Sequence, residues 1–134
     1  MKRTISHGFT LIELMIVIAI LGVLAAYAYT SYINSVQKSR RSDAMDALLN
    51  KATLQERWYM ASNQYTGDID DVGGAESQKE YYTITVDNTT DCSSVGACFT
   101  LTATAIDAQT DDTDCLTMSV NNFGQRTATT ANCW

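Results

Sequence analysis

The segment Gly8-Phe9-Thr10-Leu11-Ile12-Glu13-Leu14 sets one carboxylate inside an otherwise apolar run that continues to Tyr29. An acidic side chain at a bilayer centre costs about 2.5 to 3.5 kcal/mol, and such residues pair with a partner inside the membrane. Glu13 therefore needs a cation. Four cysteines, Cys92, Cys98, Cys115 and Cys133, are the other residues with chemistry to offer. They lack the C-x-x-C spacing of a zinc set, and an even count beyond an apolar helix points to disulfides in an oxidising compartment. Four cysteines allow three pairings. Locality favours Cys92 with Cys98, which bracket the short turn Ser93-Ser94-Val95-Gly96-Ala97. Asp107, Asp111, Asp112 and Asp114 are oxygen donors without the spacing of a calcium loop, so they are read as a solvated loop and no metal or cofactor is expected. The only histidine is His7 and no nucleophile motif is present, which argues against an enzyme.

The elements that must position these residues follow from hydrophobic period. From Phe9 to Tyr29 the apolar run is about 20 residues, enough at about 1.5 Å per residue to cross roughly 30 Å of hydrocarbon. Lys2 and Arg3 flank it with no acidic residue before Gly8, so the positive-inside rule keeps the N-terminus in the cytoplasm and sends the C-terminus out. The run is longer than the apolar core of a secretory signal peptide. Beyond Tyr29 a helical period continues through Ile33, Val36, Arg40, Ala44, Ala47, Leu48, Leu54 and Trp58. Gln37, Lys38, Arg41, Asp43, Asp46 and Asn50 fall largely on the other side. Lys38, Arg40 and Arg41 are read as a solvated face or as partners for acidic patches on neighbouring subunits. One helix from Phe9 to about Ala61 is the simplest outcome. Ser62 to Glu80, with Asn63, Gly67, Gly73 and Gly74, reads as a connecting loop.

The period then becomes two. Tyr81 to Val86, Phe99 to Ile106, Leu116 to Val120 and Gln125 to Thr129 read as strands, the last pair joined by a turn at Asn121-Asn122-Phe123-Gly124. Short connections between sequential strands make an antiparallel sheet, with one face covered by the amphipathic half of the helix.

Gly8 through Ala26, as an ungapped stretch, resembles the class III leader and N-terminal helix of type IV pilins and related pseudopilins. The resemblance implies an α+β ladle fold: a long helix, transmembrane in its first half and amphipathic in its second, packed on a four-stranded antiparallel sheet with a C-terminal disulfide-bounded region. It implies a leader at 1–8, a membrane and assembly half at 9–29, an amphipathic half at 30–61, an αβ-loop at 62–80 and a sheet with D-region at 81–134. Residues 30–134 then form one head. A prepilin peptidase would cut between Gly8 and Phe9 and methylate the new Phe9 amine. That amine supplies the cation for Glu13, four residues away on one helical face and favoured in the first turn by the helix dipole. In filament assembly the partner amine would come from a neighbouring subunit. The D-region of such proteins implies a bridge between Cys115 and Cys133.

Removing the leader takes away Lys2 and Arg3 and moves the formal charge from −6 to −8. That acidity argues against a broad nucleic-acid field. Pilins of this family carry a proline where Thr30 stands, and this chain has none. Gly22 persists in the membrane half. Tyr29 to Tyr32, Ser39 to Ala44, Ala47-Leu48-Leu49, Gln55 to Tyr59, Asp112 to Cys115 and Cys133-Trp134 look like the PilE-like minor pilins of type IVa pili. The function so implied is a pilus subunit of the minor class, acting in assembly or initiation and so in twitching motility, adhesion or DNA uptake. A major pilin of the shaft, a type II secretion pseudopilin and a filament-borne DNA or surface receptor are the alternatives. Expected partners are the peptidase, other pilins and an inner-membrane assembly platform. The precursor is expected in the inner membrane, and the mature chain in an extracellular filament.

Overall fold

The computed structural model describes residues 9–90 and 92–134. One helix, α1 (Leu11–Ser62), is followed by four strands: β1 (Tyr82–Asp87), β2 (Thr100–Ala105), β3 (Thr117–Asn121) and β4 (Arg126–Ala128). Single 3-10 turns stand at Asp70–Val72, Asp107–Gln109, Thr113–Cys115 and Ala131–Cys133. The chain divides into two compact units, Met1–Val36 and Gln37–Trp134.

Thr10 starts α1. Its hydroxyl accepts the backbone N–H of Glu13 at 3.3 Å, satisfying one of the orphan donors of a helix N-terminus. Asn63 ends the helix in the left-handed region at φ 62°, with its N–H bonded to the Tyr59 carbonyl. Asn tolerates that conformation better than residues with larger side chains, and it closes the last turn. Between these ends α1 runs without a break through Thr30, whose hydroxyl donates to the Tyr27 carbonyl. The residue at this point is threonine rather than proline, so no backbone donor is lost from the helix there.

The sheet is antiparallel in the order β1-β2-β3-β4. Its register places Ile84 opposite Ala103, Ala103 opposite Met118 and Met118 opposite Ala128, so the inward face is a continuous apolar row. The outward row Thr85, Thr102, Ser119 and Thr127 is hydroxylic across all four strands. β-Branched threonines suit a half-exposed pleat. Tyr82, Ile84, Phe99, Leu101, Met118 and the Cys115 and Cys133 sulfurs form one core with Ala44 and Leu48 of α1. Small side chains at Ala103 and Ala105 leave room at the centre of that face for a helix.

Burial on the second half of α1 differs from the apolar stripe read off the sequence. Ala44 and Leu48 are buried, but Ile33 and Trp58 are exposed, and three of the five buried α1 residues are polar: Asp43, Lys51 and Gln55. Asp43, assigned above to the solvent side, instead accepts the Lys79 N–H on both carboxylate oxygens. Backbone groups of the 63–81 segment have to find partners somewhere, and the polar side chains of α1 provide them.

Candidate functional site

The N-terminal unit presents the candidate assembly site. Phe9 precedes the helix and is 84 % exposed, and Leu11 through Leu24 leave their large apolar side chains uncovered. Glu13 lies in the first turn of α1, exposed, with its carboxylate bonded to nothing among the described residues. Gly8 lies outside the described residues. α1 begins at Leu11, so Phe9 precedes its first helical residue by two positions. Thr10-Leu11-Ile12-Glu13 also spells the T-x-x-E pattern of a helix start, a local signal present in the sequence.

In the second unit the cysteines close two loops. Cys92 is bonded to Cys98 and Cys115 to Cys133. The first pair sits at the β1–β2 connection near the surface; the second is buried in the core.

A polar network ties α1 to the segment before β3. The Arg41 guanidinium donates through Nε and one Nη to both oxygens of Asp112, at 2.6 and 2.7 Å. Gln109 donates its Nε2 to Asp112 at 3.0 Å and to the Tyr82 hydroxyl at 3.1 Å. Planar, bidentate pairing is the strong form of such contacts. Asp112 is 3 % exposed, so it is no part of a solvated acidic loop as the sequence suggested, and Arg41 is no free surface cation. The hydrogen bond to Asp112 holds the Arg41 guanidinium above its ordinary pKa. Tyr82 is raised by a different cause, the burial of its phenol. Beside it, Arg40 stacks over the Tyr81 ring at 4.7 Å, while Asp107, Asp111 and Asp114 remain exposed.

Two further α1 side chains clasp the segment after the helix. Gln55 exchanges both hydrogen bonds with the backbone of Thr66, at 2.9 and 3.1 Å. Lys51 donates to the carbonyls of Gly73 and Gly74, at 3.1 and 2.6 Å, and its burial lowers its pKa. Lys51 carries no signal in the sequence and Gln55 enters there only through the Gln55 to Tyr59 motif, because a Lys or Gln in a helix looks the same whether it meets water or a loop carbonyl.

A helix with an uncovered apolar half and an acid in its first turn, joined to a helix-backed, disulfide-closed antiparallel sheet, defines a pilin-class subunit. Residues 30–119 match a family described as "Type IV minor pilin ComP, DNA uptake sequence receptor", and residues 3–29 match the prokaryotic N-terminal methylation motif. The chain belongs to the type IV pilin family. The major pilin PilA of Myxococcus xanthus is 36% identical over 77 residues, 58% of this chain and 35% of that protein. The major pilin PilE of Neisseria gonorrhoeae is 36% identical over 75 residues, 56% of this chain and 45% of that protein. The matches thus span less than half the length of these relatives. A type IV pilin structure from Shewanella oneidensis aligns with a TM-score of 0.56 at 28% identity, covering 73% of this chain and 97% of that one. The minor pilin PilV of Neisseria meningitidis shares the fold, with a TM-score of 0.54 at 23% identity over 73% of this chain and 91% of that one. Pilins are structural subunits, and this chain is not an enzyme.

Proposed function

We propose that this chain is a minor subunit of a type IV pilus, acting in assembly or initiation of the filament and through it in twitching motility, adhesion or DNA uptake. One observation carries the subunit reading: a helical segment from Leu11 to Tyr29, apolar and exposed, with Glu13 in its first turn and without a side-chain partner among the described residues; the minor role is supported by the description of the matching family. The helix that carries this segment is long and apolar enough to cross a membrane, and its apolar half must be covered again when it leaves one. Like segments of other subunits are the natural cover. In this scheme the precursor sits N-in, C-out in the inner membrane, and a prepilin peptidase cuts between Gly8 and Phe9. Methylated Phe9 then presents a cation that Glu13 of another subunit neutralises, with an inner-membrane assembly platform drawing the chain into the filament.

Sheared surface filaments provide the test. Recovered chains should begin at methylated Phe9, at an abundance well below that of the shaft subunit; Met1 at the N-terminus overturns the scheme, and equal abundance makes this the shaft pilin. Glu13→Ala should leave insertion and processing unchanged while depleting the chain from filaments. Normal incorporation of that variant removes Glu13 from assembly.

A second reading, a filament-borne DNA receptor, is favoured by the description of the matching family. Exposed Lys38, Arg57, Lys79 and Arg126 are its available cations against a mature charge of −8. DNA retention by the full chain in detergent, lost only as salt rises, supports this reading; no retention at low salt rejects it.

A further inference from the structure

β1 is an edge strand of the sheet. The Ile106 N–H donates to the Tyr81 carbonyl, so alternation along the pair turns the backbone groups of Tyr82, Ile84 and Val86 away from β2. The 75–77 segment covers the first part of that edge. Ser77 N–H donates to the Tyr82 carbonyl, Ile84 N–H donates to the Ala75 carbonyl, and Glu76 stands opposite Thr83. Past this point the cover stops. The Ile84 carbonyl and both backbone groups of Val86 have no partner among the described residues.

A groove of about 460 Å³ opens there, with Gly67, Asp68, Ile69 and Ala75 on the loop side and Thr85 and Val86 on the strand side. Its width is held from both ends. Asn88 donates its side-chain amide to the Tyr65 carbonyl at 3.1 Å, and a Cβ on Gly67 would come within 2.7 Å of the Asn88 side-chain oxygen. Glycine at 67 thus lets the loop lie against the end of β1 while standing off from the strand. The opposite edge of the sheet is managed differently: β4 has three residues, and the Trp134 indole N–H donates to the Thr127 carbonyl at 2.8 Å. Natural sheets blunt their edges by such devices, and half of β1 is left without one.

We propose that this groove receives an extended peptide segment of a partner protein by strand addition, pairing with Ile84 and Val86. Main-chain hydrogen bonds supply attraction and alternate side chains supply selectivity in that mode. The apolar side chains of Ile69, Ala75 and Val86 suit a small or β-branched residue. Charge selects the rest of the ligand. Asp68 lines the groove, Asp70 and Glu76 are exposed in the same segment, and no Lys or Arg lines it. The partner segment is therefore extended, small or β-branched at its centre, and carries Lys or Arg beside it. The proposal is independent of the filament role and would hold for a subunit of any position.

Amide hydrogen exchange of the full chain in detergent micelles, followed by NMR with two synthetic pentapeptides, Lys-Val-Thr-Val-Lys and Glu-Val-Thr-Val-Glu, tests it. At a concentration about ten times its dissociation constant, the basic peptide should slow exchange of the Val86 N–H about tenfold. The acidic peptide should not, and N-methylation of the peptide backbone should abolish the effect. Asp68→Lys should weaken the basic peptide severalfold and improve the acidic one. Equal protection by both peptides, protection by the N-methylated one, or no protection by the basic peptide overturns the proposal.

Discussion

Tyr65 lies between Tyr59 and Phe99, with ring centroids 4.7 and 4.8 Å away, and its hydroxyl donates to Glu56. Burial, then the hydrogen bond to Glu56, pushes its phenol up to about 12. In the unfolded chain a phenol titrates near about 10. The folded state therefore holds the proton more tightly, so the contribution to stability is complete below about pH 10 and is lost as pH rises towards about 12. Tyr82, raised by burial, acts in the same direction. Unfolding of the full chain in detergent, measured between these two values, should show stability falling with pH. Tyr65→Phe should flatten that fall, and an unchanged slope would remove Tyr65 as its source. Sequence identifies the ionisable residues but not these environments. Asp112 is one of four nearby acids along the chain, and nothing local distinguishes it, because the Arg41 that it pairs with lies 71 residues earlier.

At the level of elements, the strands were readable because alternation of threonine with apolar residues is a local signal. Each observed strand begins and ends within one residue of its expected span. The second half of α1 was read less well for a physical reason. A helix packed on a sheet and also on an irregular segment must bury donors and acceptors as well as apolar surface, and Asp43, Lys51 and Gln55 serve that segment. The 3-10 turns at Asp107–Gln109 and Thr113–Cys115 had no periodic signature at all. Between them Asp112 joins this segment to α1, with Arg41 and Asp112 side chains 12 and 3 % exposed. Removing one member of a buried pair leaves the other charge uncompensated. Arg41→Met should therefore lower the unfolding free energy by about 3 to 5 kcal/mol, more than typical surface changes. A denaturant titration of the variant reads the loss directly; a change within about 0.5 kcal/mol would show that water already solvates Asp112.

Across the whole molecule, two disulfides restrain the second unit to different extents. Cys92 to Cys98 spans 6 residues and Cys115 to Cys133 spans 18. Chain entropy alone assigns about 2 kcal/mol to the shorter loop and about 3 to the longer. Environment widens the difference. Cys115 and Cys133 belong to the core cluster with Tyr82 and Met118, so replacing both with Ala also strips packing from the sheet face, whereas Cys92 and Cys98 are only partly buried. Thiol–disulfide exchange requires access of the attacking thiolate to sulfur. Mild reductant should therefore release thiols at Cys92 and Cys98 first, with the fold intact. Thiols at Cys115 and Cys133 should appear only as the sheet unfolds, because opening the core is the route to them. Alkylation with a thiol reagent at increasing reductant, followed by peptide mapping, orders the two events. Simultaneous labelling of all four cysteines would mean that the core opens as readily as the surface loop, and that the C-terminal bridge does not anchor β3 and the end of the chain.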